Sequence, residues 1–432
     1  MKRHLIGIGG VGMSALATAL VRLGDEVTGA DRTLGTPNIK FLESLGVKVY
    51  PDDGSGVDAS TDEVIVSTAI EETNAGLIKA KELGIPVTHR AKALSRTLKD
   101  YKLVAVVGTC GKSTVTAMLG HVLAECGLDP MCVNGANVPG WEGAVRFGKG
   151  EYAVAEVDES DKSLVAFKPY AAIVTNASAD HYSKEEMDEV FDAFIKDCKG
   201  PVVDGRGNCS IVRLGDCSIE RLRAVLPIPG KHNLQNAEHA VRMAVALGVA
   251  EEKAISAMAT FRGVERRLQL IIPLIEQSNN PNNRTIKQPP AVYDDYAHNP
   301  EKLKAMWMTL AEKHPGGICV IWRPHGYAPL RKMMDALAAM FAETIRAQDK
   351  LLLLPVYDAG GTTDRSINSD ELQKRVQAIE QSNNLNNRTI LVADLDAAYE
   401  WCAAHKGDYA AFVTCGARDP GLPVLARRLS EM

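Results

Sequence analysis

Short runs of β-branched and other apolar residues alternate with longer helical patterns along most of this chain. That alternation is the signature of a parallel α/β architecture, in which each helix carries the chain back to the end of the sheet where the next strand begins. Three blocks can be told apart. In residues 1–98, strands are predicted at 4–8, 26–30, VIVS (64–67) and PVT (86–88), with helices at 11–24, near 74–83 and up to Leu98. In residues 99–262, the strand LVAVV (103–107) runs through a glycine turn into a helix from about Lys112. The apolar strands AVAEV (153–157) and AAIVT (171–175) follow, with helices around 232–260. In residues 263–432, AVYDD, ICVIW, LLLLPV, TILVA and AAFVT are each followed by a helical segment, which fits a small doubly wound sheet.

A length of 432 residues agrees with two or three domains. The net charge of -5 gives no basic footprint for nucleic acid. No run of about 18 apolar residues is present to span a bilayer. The start MKRHLIGIGG enters a glycine turn where a secretory signal needs a longer apolar stretch. Nine cysteines are scattered without a C-x-x-C pair, which argues against a disulfide framework or a structural zinc site. Together these features place the chain in reducing cytoplasm.

Two glycine clusters carry the chemistry. The first, Gly7-Ile8-Gly9-Gly10-Val11-Gly12, follows a strand, opens a helix and has Asp31 nineteen residues beyond its last glycine. Such a turn lets the backbone approach a diphosphate at a helix N-terminus; by itself it does not separate NAD from a UDP-sugar, or either from a tight turn without ligand. The second is Gly108-Thr109-Cys110-Gly111-Lys112-Ser113-Thr114, directly after LVAVV. In loops of this kind backbone N–H groups cradle phosphates, a lysine reaches the terminal ones and a hydroxyl holds Mg²⁺. Val106 stands where the common spelling has a further glycine, so this is a variant loop, but strand, glycines, Lys and Ser-Thr coincide and point to ATP or GTP. Glu156-Val157-Asp158-Glu159-Ser160-Asp161 at a strand end reads equally as Mg²⁺ ligands or as a solvated turn. The strand AAIVT leads into Asn176 and on to Asp180 and His181, a second polar cluster able to complete a metal site. A phosphate loop, two acid clusters and a diphosphate-type turn suggest phosphoryl transfer with a second nucleotide-like substrate.

In this order the motifs resemble those of the Mur ligase superfamily, and the resemblance, strongest to its alanine-ligase branch, covers nearly the whole chain. It rests on HLIGIGGVGMSALA at the start, VSTAI (66–70), HRAKAL (89–94), GTCGKST, EVDESD, TNASADH, PGKHNLQNA (229–237), FRGVERR (261–267) and DDYAHNP (294–300). The resemblance implies a Rossmann-like UDP-sugar domain over 1–98, a central P-loop ATPase domain over 99–262, and a doubly wound, Rossmann-like C-terminal domain over 263–432 that closes over the site and binds an amino acid. It implies an ATP- and Mg²⁺-dependent enzyme, monomeric or homodimeric, that converts the carboxylate of a UDP-N-acetylmuramate-like substrate to an acyl phosphate and joins it to an amino acid, L-alanine or a relative. It also implies roles. Gly9, Gly10, Gly12, Met13, Asp31, Ser67, Ala69 and Arg90 would bind the UDP-substrate. Gly108, Thr109, Gly111, Lys112, Ser113 and Thr114 would hold the ATP phosphates. His232, Asn233 and Asn236 would lie at adenine, with Arg267 and Asp295 meeting the nucleotide from the third domain. Ser113 and Glu156 would bind one Mg²⁺ and His181 a second, making Lys112, Glu156 and His181 the catalytic group.

The departures concern the acceptor. Where the family carries a P-H-R-Y-x-R-like run, this chain reads Pro324-His325-Gly326-Tyr327-Ala328-Pro329, so glycine and proline replace both arginines. Arginine suits a carboxylate because its planar fork gives two parallel hydrogen bonds; His298, His325 and Arg331 remain as acceptor-site candidates, with Arg331 expected to take over the carboxylate. Cys110 stands in the loop where the alanine-ligase branch usually has histidine, and Asp358 and Arg365 lie in a loop that also differs. Lys184 and Lys196 follow His181, but neither spacing identifies a carbamylated lysine. The near-repeat IEQSNNPNNRTI (275–286) and IEQSNNLNNRTI (379–390) is expected to form surface loops or hairpins.

Overall fold

The computed structural model describes residues 1–158, 163–177, 184–207, 214–271, 290–358, 364–382 and 388–432. The first copy of the Asn-rich repeat, residues 159–161 of the first acid cluster, and Asp180 and His181 of the second therefore lie outside the described residues. Two compact units are present, residues 1–228 with 232–264, and residues 229–231 with 265–432.

The first unit holds two sheets. Strands β1 (Lys2–Ile6), β2 (Glu26–Asp31), β3 (Lys48–Pro51), β4 (Glu63–Val66) and β5 (Val87–His89) form a parallel sheet in the order β3-β2-β1-β4-β5. The second sheet has the order β11-β10-β6-β9-β7-β8, from β6 (Lys102–Val107), β7 (Met131–Val133), β8 (Val145–Arg146), β9 (Tyr152–Glu156), β10 (Ala171–Val174) and β11 (Val202–Asp204). It is parallel except for β8, which runs against β7. From Leu103 to Val107, β6 is buried on both faces, as a central strand covered by helices must be.

The helix Val11–Arg22 turns Leu16 and Leu20 into a core that also contains Leu94, Leu98, Leu103, Met131, Val145, Phe167 and Phe191, so the two sheets share one apolar cluster. Its rim is fixed by Arg22, whose guanidinium donates twice to Glu142 at 2.7 Å, and by Ser95, whose hydroxyl donates to the Ala166 carbonyl at 2.6 Å.

The second unit contains β12 (Gln269–Ile271), β13 (Ala291–Asp295), β14 (Ile318–Trp322), β15 (Lys350–Leu353), β16 (Thr389–Leu391) and β17 (Ala411–Cys415) in the order β12-β13-β17-β14-β15-β16. The five strands expected from sequence are all present and parallel; β12, antiparallel at the edge, is additional. A buried carboxylate braces this unit. Asp349 accepts from Trp307 Nε1 (2.9 Å), the Ile318 amide (3.0 Å) and Arg346 Nε (2.9 Å), tying a helix, the start of β14 and the loop before β15.

The second Asn-rich copy connects a helix to a strand, as expected, but its ends are not surface. Ile379–Gln381 continue the helix Ser369–Ser382, and Arg388 is 4% exposed just before β16, with its Nε 3.1 Å from Glu380. Among the described residues there is no disulfide, and no helix is long and apolar enough to cross a membrane.

Candidate active site

The chain leaves the central strand β6 and must turn at once into the helix Lys112–Glu125. Gly108 and Gly111 make that turn with φ of 127° and 86°, in the region that favours glycine. Space is also restricted: a Cβ on Gly108 would lie 2.2 Å from Thr175 Oγ1, and one on Gly111 would lie 2.5 Å from Asn236 Oδ1. Gly111 caps the helix with no side chain, so the positive end of the helix faces the loop. Ser113 and Thr114 sit buried in its first turn, and Lys112 donates to the Gly108 carbonyl at 2.7 Å. A narrow glycine cradle, a helix N-terminus and a lysine folded over it fit the phosphates of a nucleotide.

The loop is held from the neighbouring strand. Thr175 and Asn176 follow β10, which pairs with β6 in the register Val107↔Val174. Asn176 Oδ1 accepts from Thr109 Oγ1 (2.6 Å) and the Cys110 amide (2.9 Å), while Asn176 Nδ2 and Thr175 Oγ1 donate to the Cys110 carbonyl at 2.9 and 2.6 Å. Asn176 makes three of these four bonds, so Asn176→Ala is expected to raise the KM for the nucleotide roughly 100-fold, since each lost hydrogen bond is worth about 1 kcal/mol and about 1.4 kcal/mol is a factor of ten. Initial rates at fixed acceptor concentration, with a melting curve as control, check this.

Glu156 ends β9 on the other side of β6, opposite Val106. Its carboxylate accepts from the Gly135 amide at 2.7 Å, and a Cβ on Gly135 would fall 2.4 Å from Glu156 Oε2. Gly135 was not singled out in the sequence; a lone glycine in a polar loop gives no signal until its partner is known. Glu156 and Ser113 both offer hard oxygen donors at the loop end of this sheet, the chemistry Mg²⁺ requires. Asn233 and Asn236 are buried on the helix Lys231–Ala246, which also carries His232, and Asn236 lies against the phosphate loop at Gly111.

In the first sheet, Asp31 braces the other glycine turn. One of its carboxylate oxygens accepts from the Gly9 amide (2.9 Å) and the other from the Thr33 amide (3.0 Å), while Asn38 Nδ2 donates to the Gly9 carbonyl (2.9 Å). Arg90 opens the helix Arg90–Thr97 beside Gly12, where a Cβ would meet its guanidinium at 3.2 Å. The segment after β4 carrying Ser67 and Ala69 returns alongside Gly7, with Ile70 Cδ1 3.4 Å from the position of a Cβ there. Gly10 and Ala69 are exposed and Met13 is buried.

In the second unit, Arg266 and Arg267 both lie over the Tyr296 ring, at 5.2 and 5.1 Å. Arg266 also donates to Asp294 at 2.9 Å; burial pushes the Asp294 carboxyl up to about 6, against the pull of Arg266 and Thr414. Asp295 accepts from the Leu268 amide at 2.6 Å and the Ala297 amide at 2.7 Å, so both of its oxygens fix the turn after β13. His298 and His325 come together with ring centroids 4.8 Å apart. Burial lowers each imidazole to about 4, assisted at His298 by Lys302 and at His325 by Arg418, so both are neutral at pH 7. Arg331, by contrast, is engaged on the surface by Asp364 (2.8 Å) and Ser366 (3.0 Å), and Arg365 by Asp358 (2.7 Å).

A braced phosphate loop at the carboxyl end of a central strand, with an acid on the next strand, defines an enzyme that uses a nucleoside triphosphate. Residues 2–102 match the model described as Mur ligase family, catalytic domain, and residues 283–418 that described as Mur ligase, glutamate ligase domain. The chain is 30% identical over 426 residues to the UDP-N-acetylmuramate–L-alanine ligase of Rhizobium etli, covering 87% of this chain and 86% of that one. With the enzyme of the same name from an Arthrobacter species the identity is 32% over 417 residues, 87% and 85% of the two chains. The crystal structure of UDP-N-acetylmuramate-alanine ligase from Thermotoga maritima superposes with a TM-score of 0.78 at 23% identity, covering 100% of this chain and 98% of that one. A murein peptide ligase from Psychrobacter arcticus gives 0.65 at 20%, covering 100% and 99%. The chain belongs to the Mur ligase family, and is an ATP-dependent, ADP-forming ligase that makes carbon–nitrogen bonds.

Proposed function

We propose that this protein joins the carboxylate of UDP-N-acetylmuramate to an amino acid, L-alanine or a relative, through an acyl phosphate, as a cytoplasmic step of peptidoglycan precursor synthesis. The observation that carries the reading is the Gly108–Thr114 loop, held by Thr175 and Asn176 with Glu156 on the adjacent strand. The names of the relatives that match along most of the chain supply the substrate class.

The chemistry suits these groups. A carboxylate is a poor electrophile, and phosphorylation gives it a good leaving group. Lys112 and the amides of the first helical turn would balance charge on the oxygens of the transferring phosphoryl group. Mg²⁺, held by Ser113 and Glu156, would neutralise the rest of that charge, and His181 is the proposed ligand of a second ion. The glycine turn with Gly9, Gly10, Gly12, Met13 and Asp31, together with Ser67, Ala69 and Arg90, is the proposed UDP-substrate site. His232, Asn233 and Asn236 are assigned to adenine, and Arg267 and Asp295 to the nucleotide from the third domain. The domain limits proposed are 1–98, 99–262 and 263–432.

Gly326 and Pro329, where the family's run carries arginines, favour a second reading, in which a preformed peptide is attached. A panel of amino acids and short peptides incubated with UDP-N-acetylmuramate and ATP, followed by phosphate release, separates them. Release that requires a free amino acid is expected. Release with a tripeptide alone would replace the first reading with the second, and none with any acceptor would overturn both.

A further inference from the structure

The sheet of the second unit brings one cation to the acceptor candidates that the sequence did not single out. β17 lies between β13 and β14, and Cys415 pairs with Asp295 on one side and with Trp322 on the other. Three residues beyond these paired positions stand His298, His325 and Arg418. They therefore leave the carboxyl ends of three adjacent parallel strands at the same level, the side on which open α/β sheets bind ligands. The loops are tied at their bases, where the Gly416 amide donates to the Asp295 carbonyl at 3.2 Å and the Arg323 amide to the Cys415 carbonyl at 3.1 Å.

Arg418 is unusual in two further respects. Its φ of 68° lies in the left-handed region, where glycine is favoured and a long side chain is held against local preference. It is exposed and has no ion pair among the described residues. Three nearby arginines are committed, Arg323 to Asp419 at 2.6 Å, Arg266 to Asp294 and Arg331 to Asp364, and Arg267 lies over the Tyr296 ring. The His298–His325 pair beside it is neutral, so it adds no charge of its own to this end of the sheet.

We propose that Arg418 binds the α-carboxylate of the acceptor amino acid, filling the role of the arginines absent at Gly326 and Pro329. This rests on the ligase reading above. The planar fork of an arginine gives a carboxylate two parallel charge-assisted bonds, which fix the amino acid in one orientation.

The test uses the full-length enzyme with ATP and UDP-N-acetylmuramate, and the variants Arg418→Gly, Arg418→Lys and Arg331→Ala. Glycine suits the backbone at 418, so Arg418→Gly is expected to melt no lower than the wild type. Its amino-acid KM is expected to rise roughly 10- to 100-fold with the KM for ATP within about twofold, as loss of a bidentate carboxylate contact requires, and Arg418→Lys to fall between. The wild type should prefer the amino acid to its carboxamide, and Arg418→Gly should lose that preference. An unchanged amino-acid KM in Arg418→Gly, with an active wild type, overturns the proposal. A rise confined to Arg331→Ala overturns it in favour of Arg331. A wild type that ligates no amino acid removes the amino-acid reading proposed above, and this proposal with it.

Discussion

Lys112→Ala is expected to lower acceptor-dependent phosphate release by at least about 10³-fold, the scale seen when one preorganised charge is removed from a phosphoryl- or acyl-transfer site. The physical reason lies in where the ammonium sits. Lys112 is the first residue of the helix that follows the loop, and its Nζ lies 2.7 Å from the Gly108 carbonyl. It is already folded over the cradle, close to where phosphate oxygens would lie. The loop itself does not depend on it, because Thr175 and Asn176 hold Cys110 from the adjacent strand. Folding should thus be nearly unaffected, and a melting curve unchanged within a degree or two would separate a catalytic loss from a structural one. Turnover at the wild-type rate would remove the assignment of the loop.

The largest effect on stability is expected at Asp349. Asp349→Ala removes the acceptor for Trp307 Nε1, for the Ile318 amide and for Arg346, leaving buried donors and a cation without it, at a cost of about 3–5 kcal/mol. For a unit of this size that corresponds to a melting point lower by roughly 10 °C. Burial alone would raise the carboxyl, but the bonds from Arg346, Trp307 and Ile318 outweigh it and hold Asp349 below its ordinary value. A depressed carboxyl contributes stability that is fully present above the unfolded value of about 3.9 and is lost as pH falls through the folded value. Urea midpoints from pH 7 downward should therefore converge for wild type and Asp349→Asn only at the acid end. A constant difference across the range would show that Asp349 matters through packing alone.

Local chemistry was readable from the chain, and pairings across it were not. The phosphate loop was legible because strand, glycines, lysine and hydroxyls are contiguous, and Gly108 and Gly111 take the backbone that their positions imply. The polar cluster after AAIVT was visible, but the function of Thr175 and Asn176 was not: their partner Cys110 is 65 residues away and becomes a neighbour only through β10 pairing with β6. The helix Pro37–Ser44 signals itself weakly in the sequence although Thr36 caps it and proline opens it, because its buried face is reduced to Ile39 and Leu42. Edge strand β12 is three residues long with a half-exposed Leu270, too little pattern to signal itself. Arg331 lies close in sequence to the missing arginines, and its pairing with Asp364, 33 residues on, does not show in the sequence. Arg418 lies almost a hundred residues from His325, and nothing in the one-dimensional pattern reveals that β17 inserts between β13 and β14.

The apolar cluster common to the first two sheets also bears on how such a protein can be altered. Leu16, Leu20, Leu94 and Leu98 are buried against Leu103, Met131, Val145 and Phe167, so residues up to Leu98 expressed alone would present a wet hydrophobic face. The two sheets should melt in one transition and resist being exchanged separately for those of a relative. Residues 265–432 have interior clusters of their own, built around Trp307, Trp322 and Phe341 on one side of their sheet and Phe412, Leu422 and Leu425 on the other. Residues 265–432 thus carry the interior that a self-standing module needs, and a lineage, or a designer, can exchange them as a block more readily than either of the first two sheets alone.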